Sequence, residues 1–579
     1  MSKKFDIKSF DIKIFKILLF AYLSCAAITA FLQMNTTSIM ALFFFVALSY
    51  MFKMRSGTSE KKVRIASVFC GVMFSLFICM FKLRWLIEQK SIFIFLSMPI
   101  GLFLFFEGFT NIVYSRLKDV CLCLDTDRNK KAKVFFISMA VMFLMWIPHL
   151  LKYYPGNITV DSLQQLNQAF GNDPLSNHHP ILHTVIIKLL VGIGKAIFGD
   201  MQGGVAFFSV CQMLMLSAAF SYLVVTLYGY GYKKIVLVFV VLFYAVPAYH
   251  GDYSITMWKD IWFAAAAVVF CTTLWRLMIS LEKDNKIPIF EGIMLAFSGL
   301  GFCLLRSNGL YAYVFMYVIF AIIYAKKNIK VVTLATGVLF AAVVIHGPIY
   351  SSLGAQPSEP TESLAIPQQQ LAAVIKEECE LPQEYVDSLS NLISVEDVKA
   401  LYAPNNADRI KWRIRDNDGD EYIKEHKGEL FKIWFFTGLK HPIIYTLAFI
   451  DQTCGYYYPD IQYWIYASQI VGNNFDGLKQ ECKLPEDLSK LYDNWVNAYK
   501  KYPVWGLLHS IGTMTWVCVF TLGLAFLNQR KKMLLVFIPI IGVILTILMA
   551  SPIWAEFRYA YSVFATVPLF CTLPFYKKI

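Results

Sequence analysis

Charged residues are scarce in this chain of 579 residues: Asp, Glu, Lys and Arg make up only 16%, against 57% hydrophobic residues. Soluble domains carry about a quarter of their residues as charges. Disordered chains are poor in aromatic residues, which reach 16% here. The composition therefore excludes a disordered chain, a nucleic-acid-binding domain and an ordinary cytosolic enzyme. Repeated apolar runs of about 20 residues indicate a polytopic membrane protein instead.

The sequence also lacks the patterns of a cleaved signal peptide, of internal repeats and of a disulfide framework. The basic N-terminus leads into an apolar run from about Ile14 without a small-residue cleavage site, which predicts a first span and not a signal peptide. No internal repeat is visible, so inverted-repeat transporter architecture has no support. Only Cys379, Cys454 and Cys482 lie in the large polar stretch of the chain, and an odd number of thiols allows at most one disulfide there.

Two patterns that resemble metal sites each lack an essential residue. His179 and His183 are spaced i, i+4, but no Glu follows His179 as a zinc site of the HExxH type requires. The run from Asp416 to Asp420 resembles a calcium loop, but Glu421 stands where the turn needs Gly. We therefore assign no cofactor, although a divalent cation would be compatible with the chemistry proposed below.

Basic loops between about fourteen apolar runs predict the topology. With Lys3 and Lys4 on the cytoplasmic side, the inside loops and the C-terminal Lys577 and Lys578 are all basic, which places both termini in the cytoplasm. This register requires residues 181–198 to lie in the interface, because a span there would invert every later loop. Polar residues also interrupt that run, as expected of a helix that lies on the membrane surface. The runs fall near 14–33, 37–52, 65–83, 91–113, 134–152, 204–228, 235–250, 259–280, 288–305, 309–325, 331–350, 504–528, 533–550 and 558–576.

The same pattern divides the chain into four parts. Residues 1–133 form a four-helix bundle and a cytoplasmic loop, and 134–351 a membrane core with a first outer loop at 153–203. Residues 352–503 form a large extracytoplasmic domain, in which 356–370 is a Pro-rich linker and 430–450 a helix resting on the bilayer. Residues 504–579 supply the last spans. The predicted fold is an all-α polytopic membrane protein with interfacial helices, in a bacterial plasma membrane.

The strongest group of polar residues lies in the first outer loop. Asp161 follows a span, and His178, His179 and Pro180 open the interfacial helix. A carboxylate and imidazoles at the lipid-water boundary suit a polar reaction on a lipid-borne substrate. The alternative is that Asp161 only caps a helix over 162–169 and Pro180 only starts the next one.

These residues resemble the first outer loop of the GT-C superfamily of polyprenyl-phosphate-dependent glycosyltransferases, in particular the protein O-mannosyltransferases and the aminoarabinose transferase of lipid A. The resemblance rests on Asp161, His179-Pro180, Leu189-Leu190 and Phe198-Gly199-Asp200, and it covers mainly residues 135–350. Those families often carry two adjacent acidic residues where this chain has Asp161-Ser162. A role for paired carboxylates is therefore not supported here.

Asp260, preceded by Lys259, is the second candidate. The resemblance implies a functional acidic residue in the second outer loop, and Asp260 matches better than its rival Asp252 because it directly precedes an apolar run. A carboxylate at membrane depth is expensive unless it is paired or faces a cavity. The alternative is a simple interfacial pair between Lys259 and Asp260.

Two outer corners supply candidate phosphate ligands. Arg306 lies between two spans, and its planar fork of N–H groups matches phosphate oxygens; the alternative is an Arg that reaches lipid headgroups. Glu556, Arg558 and Tyr559 lie beside the last span in a pattern that resembles a feature of GT-C relatives, with an internal ion pair as the alternative.

The resemblance predicts an integral membrane glycosyltransferase, inverting, that moves a hexosyl or pentosyl group from a polyprenyl-phosphate donor. The acceptor would be an envelope glycopolymer, lipid or protein. Asp161 would act as general base, Asp260 would orient the acceptor or support the base, and Arg306, Arg558 and His179 would hold the phosphate. The alternatives are a transporter or flippase, or a polymerase, of lipid-linked saccharides. A transporter would need functional charges at mid-membrane depth.

Overall fold

The computed structural model describes residues 7–35, 37–57, 60–124, 129–529 and 531–576, and these ranges are built from α-helices without any named β-strand. Backbone pairing outside helices is limited to isolated bridges, such as Ile158 with Ile470. The predicted all-α class is confirmed. The terminal lysines that the topology prediction used, Lys3, Lys4, Lys577 and Lys578, lie outside the described residues.

The helices are listed here in chain order. They are α1 (Ile7–Phe31), α2 (Ile39–Arg55), α3 (Lys61–Phe81), α4 (Leu83–Glu88), α5 (Ile92–Leu117), α6 (Lys131–Lys152), α7 (Val160–Phe170), α8 (Ile181–Phe198), α9 (Met201–Gly229), α10 (Lys234–Ala245), α11 (Ala248–Ser254), α12 (Lys259–Lys283), α13 (Ile289–Leu304), α14 (Ser307–Tyr324), α15 (Ile329–Val344), α16 (Tyr350–Ser352), α17 (Ala365–Lys376), α18 (Gln383–Ser390), α19 (Val395–Leu401), α20 (Asp408–Asp416), α21 (Gly419–Glu425), α22 (Lys427–Lys440), α23 (Pro442–Thr453), α24 (Glu486–Val496), α25 (Ala498–Lys501), α26 (Pro503–Leu507), α27 (Ile511–Asn528), α28 (Ile538–Ala550) and α29 (Tyr561–Thr572).

Eleven of the described helices are long and apolar enough to cross a membrane, or 13 if each of two bent pairs forms one span. The bent pairs are α10 with α11, at 58°, and α22 with α23, at 107°. The chain is thus a multi-pass membrane protein, with fewer candidate spans than the predicted fourteen. The last predicted span, 558–576, contains only the 12-residue α29 between two 3₁₀ turns. Helix α8 and the pair α22–α23, which the sequence places in the interface, meet the length and composition of a span.

The described residues divide into two compact units, and the smaller contains Ile7–Cys121 with Thr515–Lys531. Helix α5 packs against α1 and α3 in this unit. Gly101 permits the close approach to α1, since a Cβ there would overlap the carbonyl oxygen of Leu23. Glu107 is buried and accepts hydrogen bonds from Arg55 at 2.6 and 2.9 Å, so the membrane-embedded carboxylate is neutralised.

The larger unit contains the described residues of Leu122–Met514 and residues 532–576. Helix α12 is buried along most of its length and packs against α9, α13 and α29. Helix α9 packs against α6 and α8 on its other faces. A helix that is apolar all round fits such an internal position. The N-terminus of α12 carries the two candidate residues Lys259 and Asp260.

The region 352–503 of this unit has its own apolar core, which includes Leu389, Ile410 and Ile433. The predicted linker at 356–370 is wrong from Ala365 onward, because Ala365–Lys376 is helix α17. Pro367 lies in the first turn of that helix, where a missing N–H costs nothing.

An irregular segment between α23 and α24 runs back to the first predicted loop. The backbone of Ile158 pairs with that of Gln469 and Val471, and Tyr154 exchanges two backbone hydrogen bonds with Glu481. These pairings fix the chain that leads into α7. The segment therefore positions Asp161.

Candidate functional site

Asp161 lies in the first turn of α7, where its carboxylate faces two cations. Thr159 occupies the N-cap position, so the alternative that Asp161 caps this helix is wrong. Oδ2 of Asp161 is 2.7 Å from Nη1 of Arg558 and 3.9 Å from Nζ of Lys259. Burial alone would raise the pKa of Asp161, but Arg558 and Lys259 outweigh it and hold that pKa well below its usual range. About 30% of the side chain remains exposed, so the carboxylate is ionised and accessible.

His179 is buried beside Lys259 and has a partner for each ring nitrogen. Nδ1 lies 2.7 Å from Nζ of Lys259, and Nε2 lies 3.0 Å from Oε1 of Gln164. Burial, and then the charge of Lys259, hold the pKa of His179 well below its usual range. The imidazole is therefore neutral: Nδ1 accepts from Lys259 and Nε2 donates to Gln164. His178 points elsewhere, with Nδ1 3.1 Å from Oε2 of Glu359.

Lys259 and Asp260 begin α12 and contact different partners. Successive side chains on a helix diverge by about 100°. Lys259 contacts His179 and Asp161, whereas Asp260 accepts a hydrogen bond from Nη1 of Arg306. The alternative of a Lys259–Asp260 pair is therefore wrong. Oδ2 of Asp260 is buried and has no hydrogen-bond partner within the described ranges.

Arg306 stands at the N-cap position of α14 and is buried, with its side chain 9% exposed. Its guanidinium carbon lies 4.7 Å from the centre of the Tyr559 ring. The alternative of an Arg that reaches out to headgroups does not fit this burial. Tyr559 and Asp260 instead hold the guanidinium inside the larger unit.

Arg558 bridges two carboxylates. Its Nε lies 3.1 Å from Oε1 of Glu556, and its Nη1 contacts Asp161. The guanidinium also lies 5.1 Å from the ring centre of Trp258 and 5.2 Å from that of Tyr559, within cation–π range. Burial raises the pKa of Glu556 to about 7, although Arg558 opposes the shift. The predicted internal pair of Glu556 with Arg558 is present, but Arg558 is shared.

Asp252, the rival of Asp260, is bound elsewhere. It is buried, its Oδ1 accepts from Nδ2 of Asn157 at 3.1 Å, and its Oδ2 accepts from the backbone N–H of Ala467 at 3.0 Å. These bonds tie α11 to the chain before α7 and to the irregular segment. The structure therefore brings Asp260 into contact with the other candidates and gives Asp252 a positioning role.

The interacting side chains form one group, which we call the charged cluster: Asp161, His179, Lys259, Asp260, Arg306, Glu556, Arg558 and Tyr559. They come from the N-terminal ends of α7, α12 and α14, from the loop before α8 and from the corner before α29. The sequence analysis did not single out Gln164 or Trp258. Gln164 lies three residues after Asp161 on the same helix face, and Trp258 directly precedes Lys259, so both positions carried a local signal.

Metal and disulfide chemistry find little support in the described ranges. No group of three His, Cys, Asp or Glu side chains there could hold a metal ion. His183 hydrogen-bonds Gln165 through Nδ1 at 2.9 Å instead of sharing a ligand site with His179. Cys379, Cys454 and Cys482 carry free thiols, so the disulfide that the sequence allowed is not formed.

The larger unit combines apolar helices with a charged cluster at the ends of several of them. These features define a polytopic α-helical membrane protein with a polar site in that unit. The chain belongs to the family of unknown function DUF6020, whose model matches residues 170–578. No curated protein and no solved structure matches the chain. The matched range contains every member of the charged cluster except Asp161.

Proposed function

We propose that this protein is an integral membrane glycosyltransferase that moves a sugar from a polyprenyl-phosphate donor to an envelope acceptor at the outer face of the membrane. One observation carries the proposal. An ionised and accessible carboxylate, Asp161, lies beside Arg558, and Arg306 is held against the same Tyr559 ring as Arg558. A base next to a pair of guanidinium groups suits attack on a sugar whose leaving group is a phosphate.

Asp161 is the proposed general base. Both cations contact its Oδ2, and Oδ1 has no hydrogen-bond partner among the described residues. An acceptor hydroxyl that donates to Oδ1 can lose its proton there while its oxygen attacks the anomeric carbon. The bond from that carbon to the phosphate oxygen breaks, and the phosphate leaves with the electron pair. Attack from the face opposite the phosphate inverts the configuration. Lys259 and Arg558 keep the carboxylate ionised and oriented for this role.

Arg306 and Arg558 are the proposed phosphate ligands. A guanidinium has five N–H donors, of which Arg306 uses one on Asp260 and Arg558 uses two on carboxylates. The remaining donors can bind a phosphate while Arg306 keeps its contact with Asp260 and Arg558 its contact with Asp161. Asp260 then acts by orienting Arg306. His179, whose ring nitrogens are both engaged, acts by orienting Lys259.

The transporter alternative draws less support from the contacts. It needs mobile charges at mid-membrane depth, and the apolar helices α5 and α13 contain Glu107 and Glu291. Glu107 is bound by Arg55, and Glu291 accepts from Nε of Arg276 at 3.1 Å. A carboxylate within a membrane is costly unless it is paired with a cation. These two ion pairs are therefore expected from helix packing alone.

Envelope glycan analysis of cells tests the proposal. The strains carry wild type, a deletion, Asp161→Asn or Asp173→Asn, with expression confirmed for each variant. Asp173 lies in the same predicted loop but joins none of the ion pairs of the charged cluster, so its substitution is a matched control. We expect Asp161→Asn to lack the same sugar as the deletion and Asp173→Asn to keep it. Full decoration with Asp161→Asn would refute the base assignment and favour the transporter.

A further inference from the structure

Above a pH of about 7, where Glu556 is mostly ionised, the charged cluster is electrically balanced before any substrate enters. Its carboxylates are Asp161, Asp260 and Glu556, and its cations Lys259, Arg306 and Arg558, while His179 is neutral. All these side chains except Asp161 are at least 85% buried. A phosphodiester donor adds one negative charge to this site. Burying a charge without compensation is costly, so the site must gain a proton or lose a carboxylate contact.

The three carboxylates differ in how well cations hold them. Asp161 forms ion pairs with two cations. Asp260 pairs with Arg306, which pairs with no other carboxylate of the cluster. Glu556 has only Arg558, which it shares with Asp161. A phosphate that binds Arg558 further weakens the electrostatic interaction between Arg558 and Glu556, because the same guanidinium then interacts with three anions.

The other groups around Glu556 do not favour its ionised form. Its backbone N–H donates to the hydroxyl of Tyr456 at 3.2 Å, which leaves its side chain unaffected. The remaining titratable groups that interact with Glu556 are carboxylates and neutral phenols: Asp161, Asp260, Tyr253, Tyr456, Tyr463 and Tyr559.

We propose that Glu556 takes up one proton when a lipid phosphate binds between Arg306 and Arg558, so that the cluster keeps its charge balance. The inference rests on the proposed function, because it takes the ligand to be a polyprenyl phosphate. The raised pKa of Glu556, about 7 before binding, is consistent with this role. Since the carboxylate must be protonated in the complex, affinity falls with rising pH, by up to tenfold per pH unit above about 7.

Titration calorimetry of the purified full chain in lipid nanodiscs measures the proton directly. The probe is a synthetic long-chain polyprenyl methyl phosphodiester, whose single charge does not change between pH 6 and 9. Binding heats at pH 8 in two buffers of different ionisation enthalpy give the number of protons taken up. We expect about 0.9 proton for wild type, from a pKa of about 7. We expect none for Glu556→Gln, and the wild-type value for Glu486→Gln, an exposed carboxylate paired with Lys490.

The outcomes separate the two proposals. If the probe does not bind wild type, the proposed function fails. Binding without proton uptake, or uptake that persists in Glu556→Gln, overturns the role of Glu556 and leaves the proposed function standing. If Glu556→Gln does not fold, the affinity of wild type from pH 6 to 9 decides: a constant affinity overturns the inference, and a progressive loss above pH 7 supports it.

Discussion

Removing one partner of the Asp260–Arg306 pair should destabilise the protein strongly, because the other charge stays buried. Asp260 is 1% exposed and Arg306 is 9% exposed. Leaving such a charge unpaired costs about 3 to 5 kcal/mol. We therefore expect Arg306→Met and Asp260→Asn each to lower the free energy of unfolding by roughly this amount. The double substitution should cost much less than the sum, since it leaves no unpaired charge.

Unfolding of the purified protein by titration with a denaturing detergent measures these differences. Glu486 and Lys490 provide a matched control pair, because their side chains are 83% and 67% exposed. A cycle on that pair should give a coupling of about 0.5 kcal/mol or less. If Arg306→Met proved no more destabilising than Lys490→Met, or if the effects at 260 and 306 were additive, the buried ion pair would be refuted.

Four further results are expected. Asp161→Asn should slow transfer by about a hundredfold to ten-thousandfold in a purified assay, with binding of the donor retained. Lys259→Gln should raise the pKa of Asp161 and move the acidic limb of the pH–rate profile to higher pH, because Lys259 lowers that pKa. Glu556 binds its proton more tightly when folded, so stability should fall as pH rises from about 4.5 to about 7, and thermal unfolding of Glu556→Gln should lack that component. A nitroxide at Phe435, exposed on α22, should collide more with oxygen than with a nickel chelate if that helix contacts lipid.

Hydrophobic patterning predicted the helical class and most helix positions, because every long apolar run has to bury its backbone polar groups. It also predicted that the unusual charges lie at helix ends. The pairing of those charges was harder to predict. Asp260 with Arg306 spans 46 residues, and Asp161 with Arg558 spans 397, so neither pair has a local signal.

Local geometry could have excluded one alternative in advance. Lys259 and Asp260 are neighbours in a helix, and adjacent helical side chains do not face each other. The linker prediction at 356–370 failed for a different reason. Pro367 suggested irregular chain, but Pro is tolerated in a first turn, and the buried Ala372 and Val374 on the same helix carry the packing signal.

The large sequence separation between Asp161 and Arg558 has a consequence for biosynthesis. A ribosome delivers α7 long before the corner that carries Arg558, and membrane insertion proceeds from the N-terminus. Until the final corner emerges, Asp161 lacks its closest cation, Arg558. A nascent or prematurely terminated chain can therefore insert its earlier helices into the bilayer before the charged cluster is complete. Completion of the polypeptide is itself the step that assembles the charged cluster.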